Sequence, residues 1–600
     1  MNKILIVIFF AAIIQFSAAV NLYSQQFQKV DLDFSGLSGG NVSWIDLNND
    51  MLLDIFLTGK DDSGLPSTFV YINQGNEKFV KINSRIPDIS GASVSWEDFD
   101  KDGDIDLIMS GVLRNGNLIS GIYRNDLPFG FTETDFDFIK IHSGSVKWVD
   151  YNNDANSDVF ITGLNSEGVP ESKLYKNTGG NFIEVNSTFH SLYNSTYEFF
   201  DLDNDGDKDV IFTGQSNENK NSYITKIFIN DKSAFIESGN YIPPVSKGSA
   251  SWGDFDADGF ADIVLNGETG QGYGMMIMHN NHDGTFTRHS AQFPGIAFGK
   301  VLWADFDNDG FLDILLTGNL QGNTNGVTKL FRNNNGTFQE TSTVFPALIN
   351  GNISAGDFNN DLKLDIIITG HDPLTSENIL SVYKNIINVT NDLPVEPKGL
   401  TTSFDRNIIH FGWLSGFDQN TPSPGLTYNI RIGTTPGGSE IISPLSAGSN
   451  GFSKFPGYGN SGNSLQFHLT DPDTGTYYWS VQTVDNVYNT SEFSGDQTFI
   501  VSKNDVSGIP VPQEIVLKQN FPNPFNPKTI ISYQISKYRK INLRVYNARG
   551  EEITTLIDKN QNSGSYEIEF DGSQYSSGIY FYTLEADGEF VESKRMILIK

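Results

Sequence analysis

A nine-residue acidic pattern recurs seven times between Asp46 and Asp365, and its spacing constrains the fold more than any other feature of the chain. The copies are DLNNDMLLD, DFDKDGDID, DYNNDANSD, DLDNDGDKD, DFDADGFAD, DFDNDGFLD and DFNNDLKLD. They begin at Asp46, Asp98, Asp150, Asp201, Asp254, Asp305 and Asp357, a period of 51 to 53 residues with no copy missing. A constant period of this length means one supersecondary unit repeated in a closed or stacked array, because each unit must bury its apolar face against the next.

Each unit surrounds its loop with the same landmarks. A Phe (Phe27, Phe79, Phe131, Phe182, Phe235, Phe286 or Phe338) stands seventeen residues before an aromatic, which itself lies two residues before the loop. That aromatic is Trp44, Trp96, Trp148, Phe199, Trp252 or Trp303, and Ala355 replaces it in the seventh unit. The apolar runs after the loops (IFL, LIM, VFI, VIF, IVL, ILL and III) are too short for helices and end at Gly59, Gly111, Gly163, Gly214, Gly267, Gly318 and Gly370. A further strand carries an aromatic two residues before Asn, as in Tyr71 and Asn73, Tyr123 and Asn125, Tyr175 and Asn177, and Tyr383 and Asn385. Four short strands in about 50 residues make one propeller blade, so residues 27–390 are expected to form a seven-bladed β-propeller. Phe27 opens a strand-like stretch before the first loop, and nothing comparable follows Tyr383. Residues 27–35 are therefore expected to supply the outermost strand of the seventh blade and so remove the open edge.

Within each loop, positions 1, 3, 5 and 9 are Asp or Asn. The residues are Asp46, Asn48, Asp50 and Asp54; Asp98, Asp100, Asp102 and Asp106; Asp150, Asn152, Asp154 and Asp158; and Asp201, Asp203, Asp205 and Asp209. The last three loops supply Asp254, Asp256, Asp258 and Asp262; Asp305, Asp307, Asp309 and Asp313; and Asp357, Asn359, Asp361 and Asp365. With a main-chain carbonyl at position 7 these oxygens make a hard-cation site, and a flexible oxygen-rich loop favours calcium over magnesium, which keeps its waters and demands a tight octahedron. Up to seven calcium ions are expected. Four loops place Gly at position 6 (Gly103, Gly206, Gly259 and Gly310) for a sharp turn; the others carry Met51, Ala155 and Leu362 there and the neutral Asn at position 3. Loops two, four, five and six are therefore expected to bind more tightly than one, three and seven.

These units resemble FG-GAP or VCBS repeats and are similar to the calcium-bearing blades of the integrin α-subunit propeller. The resemblance covers residues 27 to about 390. It implies that the Asp-rich loop joins the first two strands of each blade.

Six hundred residues exceed one hydrophobic core, and three domains are expected. The net charge of −32 repels nucleic acid and anionic lipid and attracts cations. Fourteen positive charges from seven divalent ions would bring it to about −18. No cysteine is present, so disulfides, thiolate metal sites and Cys nucleophiles are excluded. Residues 1–24 read as a signal peptide: Lys3, an apolar run from Ile4 to about Phe16, then small residues, with cleavage expected between Ala19 and Gln25. That run is shorter than the roughly 20 residues a bilayer span requires, and no other segment approaches that length, so no transmembrane segment is expected.

After a Pro-flanked hinge at Leu393 to Pro397 the acidic period stops. Residues 394–502 contain Trp413, LTYNIRIG and GTYYWSVQTVDN, in which Tyr477, Trp479 and Val481 alternate as one strand face. This resembles a fibronectin type III sandwich, with Trp413 as core and Tyr477 at that family's tyrosine corner. It is expected to act as a spacer. Residues 515–600 contain NFPNPFNPKTIISYQI, INLRVYNARGEEI, SSGIYFYTL and a terminal KRMILIK, a small β-sandwich on physical grounds. The matching residues Asn520 to Pro527, Val545 to Gly550, Gly578 to Tyr580 and Lys594 to Lys600 resemble the C-terminal sorting domain of the type IX secretion system. That resemblance implies a partner in the type IX machinery, export across the outer membrane of a member of the Bacteroidota, and a secreted or outer-surface location.

Catalytic signatures are scarce: the chain has eight His and no HExxH, GxSxG or P-loop. The expected function is binding, an adhesion or glycan- or protein-recognition module. The ligand is placed on the face opposite the calcium loops, where the connections after Gly59, Gly214 and Gly370 vary in length and sequence. A calcium-dependent polysaccharide lyase and a purely structural surface component are the alternatives.

Overall fold

The computed structural model describes residues 26–600 except 129, 218–221, 323, 406, 445–451, 502–514, 536–538 and 562–563. The signal peptide expected at residues 1–24 lies outside the described residues, as does part of the connection after Gly214.

The period seen in the sequence becomes seven four-stranded antiparallel sheets. In the first blade the strands are Val42–Ile45, Asp54–Lys60, Pro66–Asn73 and Phe79–Ile82, paired in that order. The acidic loop joins the first two strands, as the resemblance implied. Neighbouring blades touch all the way round, including the seventh against the first, so the array is a closed ring. Serines reach between blades: Ser93 Oγ accepts from Val146 N–H at 3.0 Å, and Ser249 Oγ from Val301 N–H at 2.9 Å.

Closure follows the sequence reading. The seventh sheet is built from Ile349–Gly356, Asp365–Asp372 and Glu377–Asn385, and its outermost strand is Phe27–Lys29, from the other end of the propeller segment. Phe27 pairs with Asn385 and Lys29 with Tyr383. In the remaining blades the landmark Phe likewise opposes the landmark Asn, for example Phe79 with Asn73 and Phe338 with Asn333. Ala355 replaces the usual Trp, and the apolar volume around it is filled by Phe27, Phe306 and Phe345, which share its core cluster.

Residues beyond the ring form two sandwiches. The first packs the sheet Lys398–Asp405, Ile408–Leu414 and Gln466–Thr470 against the sheet Thr427–Gly433, Gly475–Val484 and Gln497–Val501. Trp413, Tyr428, Tyr477 and Trp479 fill its core, and the Tyr477 hydroxyl donates to the Asp473 carbonyl at 2.6 Å. The second packs a three-stranded sheet on the four-stranded sheet of Arg539–Asn547, Glu552–Gln561, Gly578–Ala586 and Glu589–Leu598, with Tyr533, Leu543, Tyr582 and Met596 buried between them.

The first sandwich departs from the spacer reading. It sits on the acidic-loop face of the ring and is bonded to it. Asp46 N–H donates to the Lys454 carbonyl at 2.8 Å, Asp305 N–H to the Asn486 carbonyl at 3.1 Å, and Thr470 N–H to the Asn153 carbonyl at 2.7 Å. Val487 and Phe452 enter apolar clusters of the propeller. The expected hinge is pinned as well: Val395 N–H donates to the Phe417 carbonyl at 2.7 Å, and Asn391 Nδ2 donates to Asp485 Oδ2 at 2.6 Å.

Because Phe27 is 1% exposed and joins the ring's two ends, Phe27→Ala is expected to cost about 3–5 kcal/mol. Denaturant unfolding followed by Trp fluorescence measures it, and a loss below about 1 kcal/mol would show that the closing strand is dispensable.

Candidate metal loops and the two faces of the ring

One carboxylate anchors every loop. The position-9 Asp (Asp54, Asp106, Asp158, Asp209, Asp262, Asp313 and Asp365) opens the second strand of its blade and is fully buried. Its Oδ1 accepts the main-chain N–H of the landmark Asn in all seven blades, at 2.7 to 2.8 Å. In five of the seven blades its Oδ2 accepts the N–H of loop position 2, as from Leu202 to Asp209 at 2.8 Å and from Phe306 to Asp313 at 3.0 Å. The same Asn spends its side chain on the neighbouring blade. Asn333 Nδ2 donates to Leu312 O of its own loop at 3.0 Å and to Phe255 O of the preceding loop at 2.7 Å. Asn73, Asn230, Asn280 and Asn385 make the same pair of bonds.

Position 2 is the other half of this latch. Its side chain leans against the next blade, with Phe358 stacked on Trp44 (centroids 5.4 Å apart), Phe99 on Trp148 (5.5 Å) and Phe255 on Trp303 (5.8 Å). Sequence reading used the Asn and Trp only as landmarks. The signal that could have revealed the contact was the unbroken apolar character of position 2: Leu47, Phe99, Tyr151, Leu202, Phe255, Phe306 and Phe358.

The loops share one backbone path. Positions 4 and 6 are left-handed throughout, from Asn49 (φ 59°) and Met51 (φ 64°) to Asn360 (φ 57°) and Leu362 (φ 62°). Met51, Ala155 and Leu362 thus reach the turn without glycine, at a cost of about 1–2 kcal/mol each. At Gly310 a second reason appears: a Cβ there would stand 2.1 Å from the Asn420 carbonyl of the docked sandwich. The turn is held by position 1, whose carboxylate accepts N–H groups of positions 5 and 6. Asp201 takes Asp205 at 3.0 Å and Gly206 at 2.9 Å, and Asp357 takes Asp361 at 3.0 Å and Leu362 at 2.6 Å.

Position 3 separates two kinds of loop. In loops two, four, five and six the carboxylates of positions 1, 3 and 9 approach within 4.8 Å of one another: Asp98, Asp100 and Asp106; Asp201, Asp203 and Asp209; Asp254, Asp256 and Asp262; Asp305, Asp307 and Asp313. In loops one and three the amide at position 3 already serves position 5, with Asn48 Nδ2 donating to Asp50 Oδ2 at 3.0 Å and Asn152 Nδ2 to Asp154 Oδ2 at 3.1 Å.

Convergence of buried carboxylates raises their proton affinity. Burial first, and then neighbouring carboxylates, push Asp106, Asp158 and Asp262 up to about 9, and burial pushes Asp54 and Asp209 up to about 8. Asp150, Asp201 and Asp254 rise to about 7, again chiefly through burial. Asp106 Oδ2, Asp256 Oδ1 and Asp365 Oδ2 are buried acceptors with no donor. Unsatisfied buried acceptors beside like charges are what a divalent cation would satisfy, so the donor set fits a hard metal ion.

The opposite face is uncovered by the sandwich. Second strands end there and third strands begin there. On blades four to six it gathers Tyr193, Tyr223, Tyr273 and Phe298. Lys247 Nζ pairs with Glu268 at 2.6 Å and stands 5.5 Å from the Phe298 ring centre, Tyr223 bonds Glu268, and Asn194 Nδ2 donates to Gln215 Oε1 at 2.7 Å.

Comparison with known families agrees with the repeats. An FG-GAP-like repeat model matches residues 46–109, 201–265, 254–316 and 305–368, and a secretion system C-terminal sorting domain model matches 519–600. The chain therefore carries FG-GAP-like repeats and a sorting domain; the unit beginning at Asp150 stands on its landmarks and blade geometry. No curated protein sequence matches the chain. Similar solved structures include a lectin of Aleuria aurantia in complex with α-methyl-L-fucoside, 8% identical, covering 56% of this chain and 97% of that one at a TM-score of 0.30. PorZ, a surface component of the type-IX secretion system of Porphyromonas gingivalis, is 11% identical over 94% of this chain and 82% of its own at 0.17. AofleA of Arthrobotrys oligospora is 10% identical over 49% and 83% at 0.31. The repeats and the sorting domain carry the assignment, not these overall likenesses. No helix among the described residues is long and apolar enough to cross a membrane.

A raised folded-state carboxyl means the native protein binds more protons than the unfolded chain, whose Asp titrates near 3.9, so stability falls as pH rises toward the folded values. In chelator, the melting temperature is expected to drop by several degrees between pH 5 and pH 8. A rise over that interval in calorimetry would contradict the burial argument.

Proposed function

We propose that this exported propeller protein, carrying FG-GAP-like repeats and a sorting tail, binds calcium in its loops for stability and recognises a glycan or protein on its open face. The observation that carries the second half is the docking of the sandwich. It covers the acidic-loop face and leaves the opposite one to solvent, with aromatic rings beside amide, carboxylate and ammonium groups. Rings for apolar sugar faces or side chains, next to groups that bond hydroxyls, are the furnishing of a recognition surface. The sorting domain directs the protein out of the cell, to the medium or the outer surface.

Calcium would be held by positions 1, 3, 5 and 9 with the position-7 carbonyl, and it would supply the positive charge that the buried carboxylates lack. Bound only by the folded loops, it adds about 2.7 kcal/mol per site at a hundredfold excess over Kd. Chelation is therefore expected to lower the melting temperature, and an unmoved melting temperature overturns the structural role. Calorimetry should show Asp98→Ala losing more calcium affinity than Asp46→Ala; equal losses remove the two-class ranking.

Glycan-array and surface-protein screening of the full chain, with and without calcium, tests recognition. Binding is expected to fall at least tenfold in Tyr223→Ala and Tyr273→Ala. Binding unaffected by both changes displaces the site from this face, and depolymerisation of a bound glycan would make the protein a lyase.

A further inference from the structure

Blade five differs from its six neighbours in the residue that precedes the landmark Asn. That position lies beside loop positions 3 and 5. In blades three, six and seven it carries a permanent cation: Lys176 pairs with Asp154 at 3.0 Å, Arg332 with Asp307 at 2.9 Å, and Lys384 stands 3.9 Å from Asp361. Blade two has Arg124, and blades one and four have Ile72 and Ile229. In blade five alone the residue is a histidine, His279, and a second histidine, His282, follows in the next turn.

Both imidazoles face the loop. His279 Nε2 lies 3.0 Å from Asp256 Oδ2 and 3.4 Å from Asp258 Oδ2, and His282 Nε2 lies 2.6 Å from Asp258 Oδ2. Asp256, Asp258 and His279 present ligand atoms within 4.8 Å of one another. The His282 ring is stacked on Phe260 at 4.2 Å, which fixes its direction. Asp256 Oδ1 is buried without a hydrogen-bond partner. Side chains of the four residues are 24 to 41% exposed, so an ion reaches them from solvent.

We propose that Asp256, Asp258 and His279 form a site for a borderline divalent metal of the zinc class, distinct in chemistry from the all-oxygen loops, with His282 as a positioning residue that holds Asp258. Tetrahedral zinc holds N and O ligands at about 2.0–2.2 Å, which sets neighbouring ligand atoms about 3.3 Å apart. The separations of His279 Nε2 from Asp256 Oδ2 and Asp258 Oδ2, 3.0 and 3.4 Å, bracket that value, and His282 stands outside this group, on Asp258. An imidazole nitrogen favours zinc, cobalt, nickel or copper over calcium, whose shell is built of oxygens. Since Asp256 and Asp258 also belong to the oxygen set of loop five, an ion at His279 draws on two of that loop's four side-chain ligands. This inference is independent of what the open face binds.

The test titrates the full chain with Co²⁺ and Zn²⁺ before calcium is added. One equivalent of Co²⁺ is expected to give the intense visible absorption of tetrahedral cobalt, displaced by zinc. His279→Gln is expected to weaken binding by at least about a hundredfold, and His282→Gln by less, with an unchanged calcium-dependent melting temperature. Absence of that spectrum in the unaltered protein at micromolar cobalt overturns the proposal and leaves ordinary His–Asp ion pairs. The tetrahedral cobalt spectrum surviving in the double variant overturns it too, by placing that metal elsewhere.

Discussion

Seven fully buried carboxylates hold this ring in register. An unpaired carboxylate taken out of water is among the most costly groups a protein can bury, so each must be met by donors from fixed directions. Here they come from the Asn that ends the third strand in every blade and, in five of the seven, from loop position 2 as well. Those two residues also bridge to the adjoining blade, one by its amide and the other by its aromatic ring. Loop shape, strand order and blade spacing therefore rest on one side chain per repeat. The chain has no cysteine to share that task.

Such economy explains why so much could be read from the sequence. A residue that must accept bonds from two elements tolerates no exchange, so Asp54 and its counterparts repeat without variation, as do Phe27 and its counterparts, which oppose the latch Asn. Blade number, loop position and the closing strand follow from that repetition. The latch itself was less visible. Asn73 announces itself as a strand end, while its bonds run to main-chain carbonyls of Leu53 and Phe358, and carbonyls leave no mark in a sequence.

Docking of the sandwich was invisible for the same reason. Its contacts come from irregular segments around Asn420, Lys454 and Asn486 and from the strand end at Thr470, each seen once in the chain, and their partners are mostly loop backbone, such as Gly103 O and Gly310 O. A single segment bonding to backbone has neither period nor charge pattern. The glycines hint at it only in retrospect: Gly310 serves the turn, and it also makes room for Asn420.

The closing strand has a consequence for how the molecule comes into being. Ribosomes deliver Phe27–Lys29 some 350 residues ahead of its partner Tyr383–Asn385. Until then the first strand made has no sheet to join, and the first six blades wait as an open arc with a naked edge at each end. Contacts this distant in sequence are slow to form, and exposed edges in the meantime invite pairing with other chains. A nascent ring of this design is best kept unfolded or guarded in transit, and it reaches its durable form in one late step, when its earliest and latest strands meet.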